Sequence, residues 1–125
     1  MIDILNNSID QQTISKPVTI NGIGLHSGLK VSMKLIPAEA DFGIKFIRKD
    51  LSEDNIIDAL WTNVSNTKLS TTISNQNGAS VSTIEHLMSA LSGLHIDNII
   101  IEINGPEVPI MDGSSIEFVD IINAT

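Results

Sequence analysis

Residues 82–104 read STIEHLMSALSGLHIDNIIIEIN, and the change of period inside this stretch decides the fold. Ile84, Leu87, Met88 and Leu91 recur at i, i+3, i+4 and i+7, which predicts a helix from about Thr83 to Leu94, closing near Gly93. Ser82 and Glu85 stand three apart, the spacing of a capping box, so the helix is expected to start there. From Asn98 to Asn104 the pattern becomes Ile99, Ile100, Ile101 and Ile103, a strand expected to be buried on both faces or nearly so. The helix's outward face holds His86 among the small residues Ser82, Ser89, Ala90 and Gly93. Small side chains there would let a second surface approach closely.

On the N-terminal side, Lys16–Ile23 and Leu29–Ile36 read as strands, the second alternating Val31, Met33 and Leu35 against Lys30, Ser32 and Lys34. Gly24, His26 and Gly28 mark the tight connection between them. Gly43–Lys49 reads as a third strand, followed by a polar segment to about Ile57. Ala59–Val64 and Lys68–Ser74 are expected to be extended, and Asn75-Gln76-Asn77-Gly78 to turn. On the C-terminal side, Gly105-Pro106-Glu107-Val108-Pro109 cannot continue a strand. Asp112-Gly113-Ser114-Ser115 opens a second helix, with Ser114 and Glu117 again at capping-box spacing and Ile116, Val119 and Ile122 facing the core. Two short helices can cover only one face of a sheet. The expected fold is therefore α+β, a two-layer sandwich of mostly antiparallel sheet with two helices on one side. Residues 1–10 read as a disordered or frayed extension, and 11–125 as one domain.

Composition narrows the function. Hydrophobic residues make up 42% of the chain, yet no apolar run approaches the about 18 residues of a membrane span, so no transmembrane segment is expected. The first residues lack a secretory pattern. Absence of cysteine excludes disulfides and thiolate ligands and fits a cytoplasmic address. Fifteen acidic against seven basic residues give a net charge of −8, with no basic cluster and few aromatic rings (Trp61, Phe42, Phe46 and Phe118). Nucleic acid is not an expected partner.

The chemistry rests on few side chains. Glu85 and His86 lie at a helix N-terminus, where the dipole favours an ionised carboxylate and a neutral imidazole, the states a general base and a metal ligand need. Capping alone would also explain Glu85, and ordinary exposure His86. His26 reads equally well as a polar turn residue. His95, just past the helix end, reads as a cap, and Asp112 as a carboxylate stabilised by the second helix. No H-E-x-x-H pattern occurs, and the chain by itself offers no convincing set of three zinc ligands.

Four motifs taken together carry a resemblance. They are Gly22-Ile23-Gly24-Leu25-His26-Ser27-Gly28, Ser82-Thr83-Ile84-Glu85-His86-Leu87, Gly93-Leu94-His95-Ile96-Asp97-Asn98 and Pro109-Ile110-Met111-Asp112-Gly113-Ser114-Ser115. In this order and spacing they resemble the N-terminal half of the UDP-3-O-acyl-N-acetylglucosamine deacetylases, zinc amidases of lipid A biosynthesis in the bacterial cytoplasm. The likeness runs from about Gln11 to the C-terminus. It implies two similar α/β sandwiches packed through their helices, with Zn2+ and the UDP-sugar lipid substrate between them. By matching position, it implies His86 as a zinc ligand and Glu85 as the general base. It puts His26 and Asp112 close to the site, and Leu69 and Ser70 along the substrate cleft. It places the remaining zinc ligands, in a His-x-x-x-Asp pattern, the acid histidine and the lipid passage in a second domain beyond Thr125. Residues 1–125 alone are then expected to be inactive and to hold zinc weakly or not at all. The alternatives are a non-catalytic binding or scaffold domain of the same fold and a small metalloenzyme completed by oligomerisation.

Overall fold

The computed structural model describes residues 11–124, so the extension expected at 1–10 lies outside the described residues. Strands β1 (Val18–Ile23), β2 (Lys30–Pro37), β3 (Ile44–Arg48) and β4 (Ile56–Asp58) precede a single 3-10 turn at Trp61–Asn63. Strands β5 (Val64–Asn66), β6 (Thr72–Ser74) and β7 (Ser80–Ser82) follow, then helix α1 (Glu85–Gly93), strand β8 (Ile99–Ile103) and helix α2 (Ile116–Asn123). A five-stranded sheet has the order β1-β2-β8-β3-β4, and β5-β6-β7 form a second, three-stranded sheet. Every pairing is antiparallel except β3 with β8. The α+β class expected from the sequence is the one found.

Period-2 alternation explains the main sheet. Val31, Met33 and Leu35 on β2 are buried, as are Ile99, Ile101 and Ile103 on central β8. Met33 faces Ile103 and Leu35 faces Ile101, so one set of side chains points into one core. Phe46 on β3, Leu87 and Leu91 on α1, and Phe118 and Ile122 on α2 complete it. Ile100 and Glu102 remain half-buried, so β8 is fully covered on one face, not two. No helix among the described residues is long and apolar enough to cross a membrane.

Both helix starts differ from the expected capping boxes. Ser82 belongs to β7: its N–H donates to Pro106 O (2.8 Å), its Oγ to the same oxygen (3.2 Å), and its carbonyl accepts from Val108 N (3.0 Å). It therefore cannot cap α1, whose N-cap position is taken by Ile84 without a side-chain cap. At α2, Ser114 turns back to Asp112 Oδ1 through its N–H (3.0 Å) and Oγ (2.9 Å), and the helix begins at Ile116. In that frame Phe118 and Ile122 face the core and Ile116 is 62% exposed, which corrects the expected Ile116 stripe. His95 occupies the left-handed position after α1 (φ 58°). There His95 N donates to Ser92 O (3.1 Å) and Ile96 N to Leu91 O (2.9 Å), the bonding of a Schellman motif.

The stretch from 56 to 74 departs most from its reading. Ile56–Asp58 forms edge strand β4 where a polar segment was expected, and the extended run expected at Ala59–Val64 folds at Trp61. The cause is local: Asn63 Nδ2 donates to Asp58 O (2.8 Å) and Asn63 N to Leu60 O (2.9 Å), a side-chain bond that competes with pairing. The β6–β7 turn is as expected. Asn75 Oδ1 accepts from Asn77 N (3.0 Å) and Ala79 N (3.1 Å), and Gly78 supplies φ 91°.

Candidate functional site

Four segments meet where the chain enters α1. Gly24 bridges Pro109, Ser82 bridges Glu107, and Ile110 N donates to Ile23 O (2.9 Å). The loop carrying His26 and the run leading to Asp112 are thus held beside β7. The fourth segment ends at Thr71, whose carbonyl lies 3.5 Å from Ile84 N and brings Leu69 and Ser70 to the helix start.

At the junction sits Glu107, only 4% exposed. Its Oε1 accepts from Ser27 N (2.9 Å) and His26 N (3.2 Å), and its Oε2 from His26 N (2.9 Å) and Thr83 Oγ1 (2.8 Å). Burial alone would raise the pKa of this carboxyl, but the bonds from His26, Ser27 and Thr83 outweigh it and hold the group below the usual glutamate value. Gly24 makes room: a Cβ there would collide with Glu107 Oε1 and Ser27 Oγ. Thr83 has φ 59°, a conformation that a β-branched residue adopts only when its surroundings impose it.

Glu85 is exposed in the first turn of α1 and His86, next to it, is half-buried. His26 is exposed, with its backbone N–H committed to Glu107. Leu69 is 80% exposed and Ser70 half-buried. Asp112 is exposed and bonded to Ser114. The fold therefore gathers the segments of all six sequence-predicted residues, and the side chains of Asp112 and Ser114 bond to each other, not to the other five. Among the described residues no group of three or more His, Asp or Glu could hold a metal ion. Of the small outward face, Ser89 and Gly93 are exposed and Ser82 is half-buried, but Ala90 is 1% exposed and belongs to the core beside Leu87 and Leu91. An apolar cavity of about 170 Å³ opens alongside, lined by Leu60, Trp61, Val64, Ile73, Ile84 and Met88.

Sequence reasoning missed Glu107. It read Gly105–Pro109 as a strand terminator, and an isolated carboxylate between two prolines has no periodicity to reveal it. Its donors lie 24, 80 and 81 positions away, so no local pattern could have found it.

Comparison with known proteins agrees with the motifs. A family model described as UDP-3-O-acyl N-acetylglycosamine deacetylase matches residues 11–125. The UDP-3-O-acyl-N-acetylglucosamine deacetylase of Geobacter sp. (strain M21) is 56% identical over 114 residues, 91% of this chain and 37% of that protein. The protein of the same name from Syntrophotalea carbinolica is 52% identical over 117 residues, 94% of this chain and 38% of its own length. The one from Myxococcus xanthus is 47% identical over 118 residues, 94% and 37% respectively. The chain spans a little over a third of the length of these curated relatives. With matching motifs, fold class and nearly its whole length aligned, the chain belongs to the UDP-3-O-acyl-N-acetylglucosamine deacetylase family.

Proposed function

We propose that this chain is the N-terminal domain of a zinc-dependent amide hydrolase that removes acetate from UDP-3-O-acyl-N-acetylglucosamine in lipid A biosynthesis, in the bacterial cytoplasm. The observation that carries the reading is the adjacent Glu85–His86 pair on the accessible first turn of α1, in a chain of this family. A capping role for Glu85 has lost its main support, because α1 has no side-chain cap.

The donor types fit zinc, which takes imidazole and carboxylate ligands, but this chain supplies one such ligand, His86. The others would come from a second domain, the partner this face of α1 is suited to meet. When bound, zinc would act as a Lewis acid towards the amide carbonyl. His86 offers its imidazole lone pair at the helix start. Glu85, exposed at the same end, takes the proton from the attacking water. In this reading His26, Asp112, Leu69 and Ser70 would contact the substrate, and the cavity at Leu60 and Trp61 would suit an acyl group. The proton donor for the leaving amine is not among the residues gathered here.

Acetate release and zinc content, measured for residues 1–125, the full-length protein and two full-length variants, test the reading. Residues 1–125 alone release no acetate. Glu85→Ala keeps its zinc and loses roughly 10²–10⁴ in rate, whereas His86→Ala loses metal and activity together. Acetate release by residues 1–125, or an unaffected Glu85→Ala enzyme, would overturn it.

A further inference from the structure

The Glu107 carboxylate accepts hydrogen bonds from both the His26 loop and the approach to α1. On the loop side it accepts two backbone N–H groups, from His26 and Ser27, so it fixes main chain and not a mobile side chain. On the helix side it accepts the hydroxyl of Thr83, one residue from the N-cap Ile84 and two from Glu85. Thr83 is held at φ 59°, so the direction in which α1 leaves β7 depends on an imposed conformation. Gly24 leaves the space into which the carboxylate fits, and an alanine there would displace it.

We propose that Glu107 is a positioning residue, whose buried carboxylate ties the His26 loop to Thr83 and thereby sets where Glu85 and His86 stand relative to that loop. The inference rests on the hydrolase reading above for its effect on rate, though not for its geometry. It explains why a charged group is kept buried: a carboxylate is acceptor-only, with lone pairs for all these donors at once. Glutamine has one acceptor oxygen, and its NH2 group would confront the N–H of His26.

The test uses the full-length protein with Glu107→Gln, Thr83→Val and Thr83→Ser. Each is assayed for kcat and KM per zinc-loaded molecule, thermal midpoint, and hydrogen exchange of the segments around His26–Ser27 and Thr83–His86. Displacement of a catalytic group by about 1 Å can cost about 10²-fold. Glu107→Gln and Thr83→Val therefore lower kcat by about ten- to a hundredfold with a much smaller change in KM, while Thr83→Ser, which keeps the hydroxyl, restores it. In Glu107→Gln both segments exchange faster together. A purely structural role would lower the thermal midpoint and leave kcat per folded molecule unchanged. Wild-type kcat in folded Glu107→Gln or Thr83→Val overturns the proposal, as does faster exchange confined to one segment. If Glu107→Gln does not fold, the contrast between Thr83→Val and Thr83→Ser decides. A wild-type protein that releases no acetate would sink the hydrolase reading, and the exchange data would still judge the tie.

Discussion

Among the described residues, Glu107 and Asp50 are carboxyls whose affinity for a proton the fold lowers. At Asp50 the largest cause is the paired bond from Arg48, whose Nε and Nη2 reach its two oxygens; at Glu107 burial opposes and the three donor residues prevail. In both cases the folded-state pKa lies below that of the unfolded chain. Their contribution to stability is present in full above the unfolded values of about 4 and is lost as pH falls through the folded-state values. Unfolding followed in urea between neutral pH and pH 3 is expected to show stability falling on acidification, with a shallower fall in Glu107→Gln than in the wild type. Equal slopes would mean that Glu107 has no depressed pKa. His86 and Glu85 could be picked out from the sequence because they are neighbours on one turn of a strongly periodic helix. Glu107 could not, because its meaning lies in partners far along the chain.

The elements divide the same way. Strand β2 and the stripe of α1 were legible because alternation and the 3.6-residue period are written within a few residues. Strands β4 and β7, and the starts of both helices, were not. The two strands and the start of α1 are set by bonds to other segments: Ser82 to Pro106 and Val108, Arg48 N to Asn55 O, Ile84 N to Thr71 O. The start of α2 is set instead by the local bonds of Ser114 to Asp112. At α2 the N-cap is Ser115 and not Ser114, and Phe118 takes the core place expected of Ile116, which has a measurable consequence. Phe118→Ala is expected to cost about 3–5 kcal/mol by leaving a cavity beneath the helix, whereas Ile116→Ala should fall within about 0.5 kcal/mol. Denaturant midpoints of the two variants measure the difference, and the reverse ranking would restore the frame expected from the sequence.

For the molecule as a whole, the single imidazole of His86 limits what this chain can hold. Zinc titrated calorimetrically into residues 1–125 is expected to reveal no tight one-to-one site, because a zinc site needs three or four ligands. A tight site abolished by His86→Ala would favour the alternative of a self-contained metalloenzyme. The order of strands in the large sheet bears on a different property. Strand β8 lies between β2 and β3, facing Met33 on one side and Phe46 on the other, yet it is made after all seven other strands. Until it arrives, the β1–β2 and β3–β4 hairpins have no strand to join them, and each presents an open apolar edge. Such late, long-range closure slows folding and leaves those edges available to other chains. A nascent chain of this sequence thus passes through an interval of sticky, unjoined hairpins that ends only when the isoleucine-rich strand slides between them.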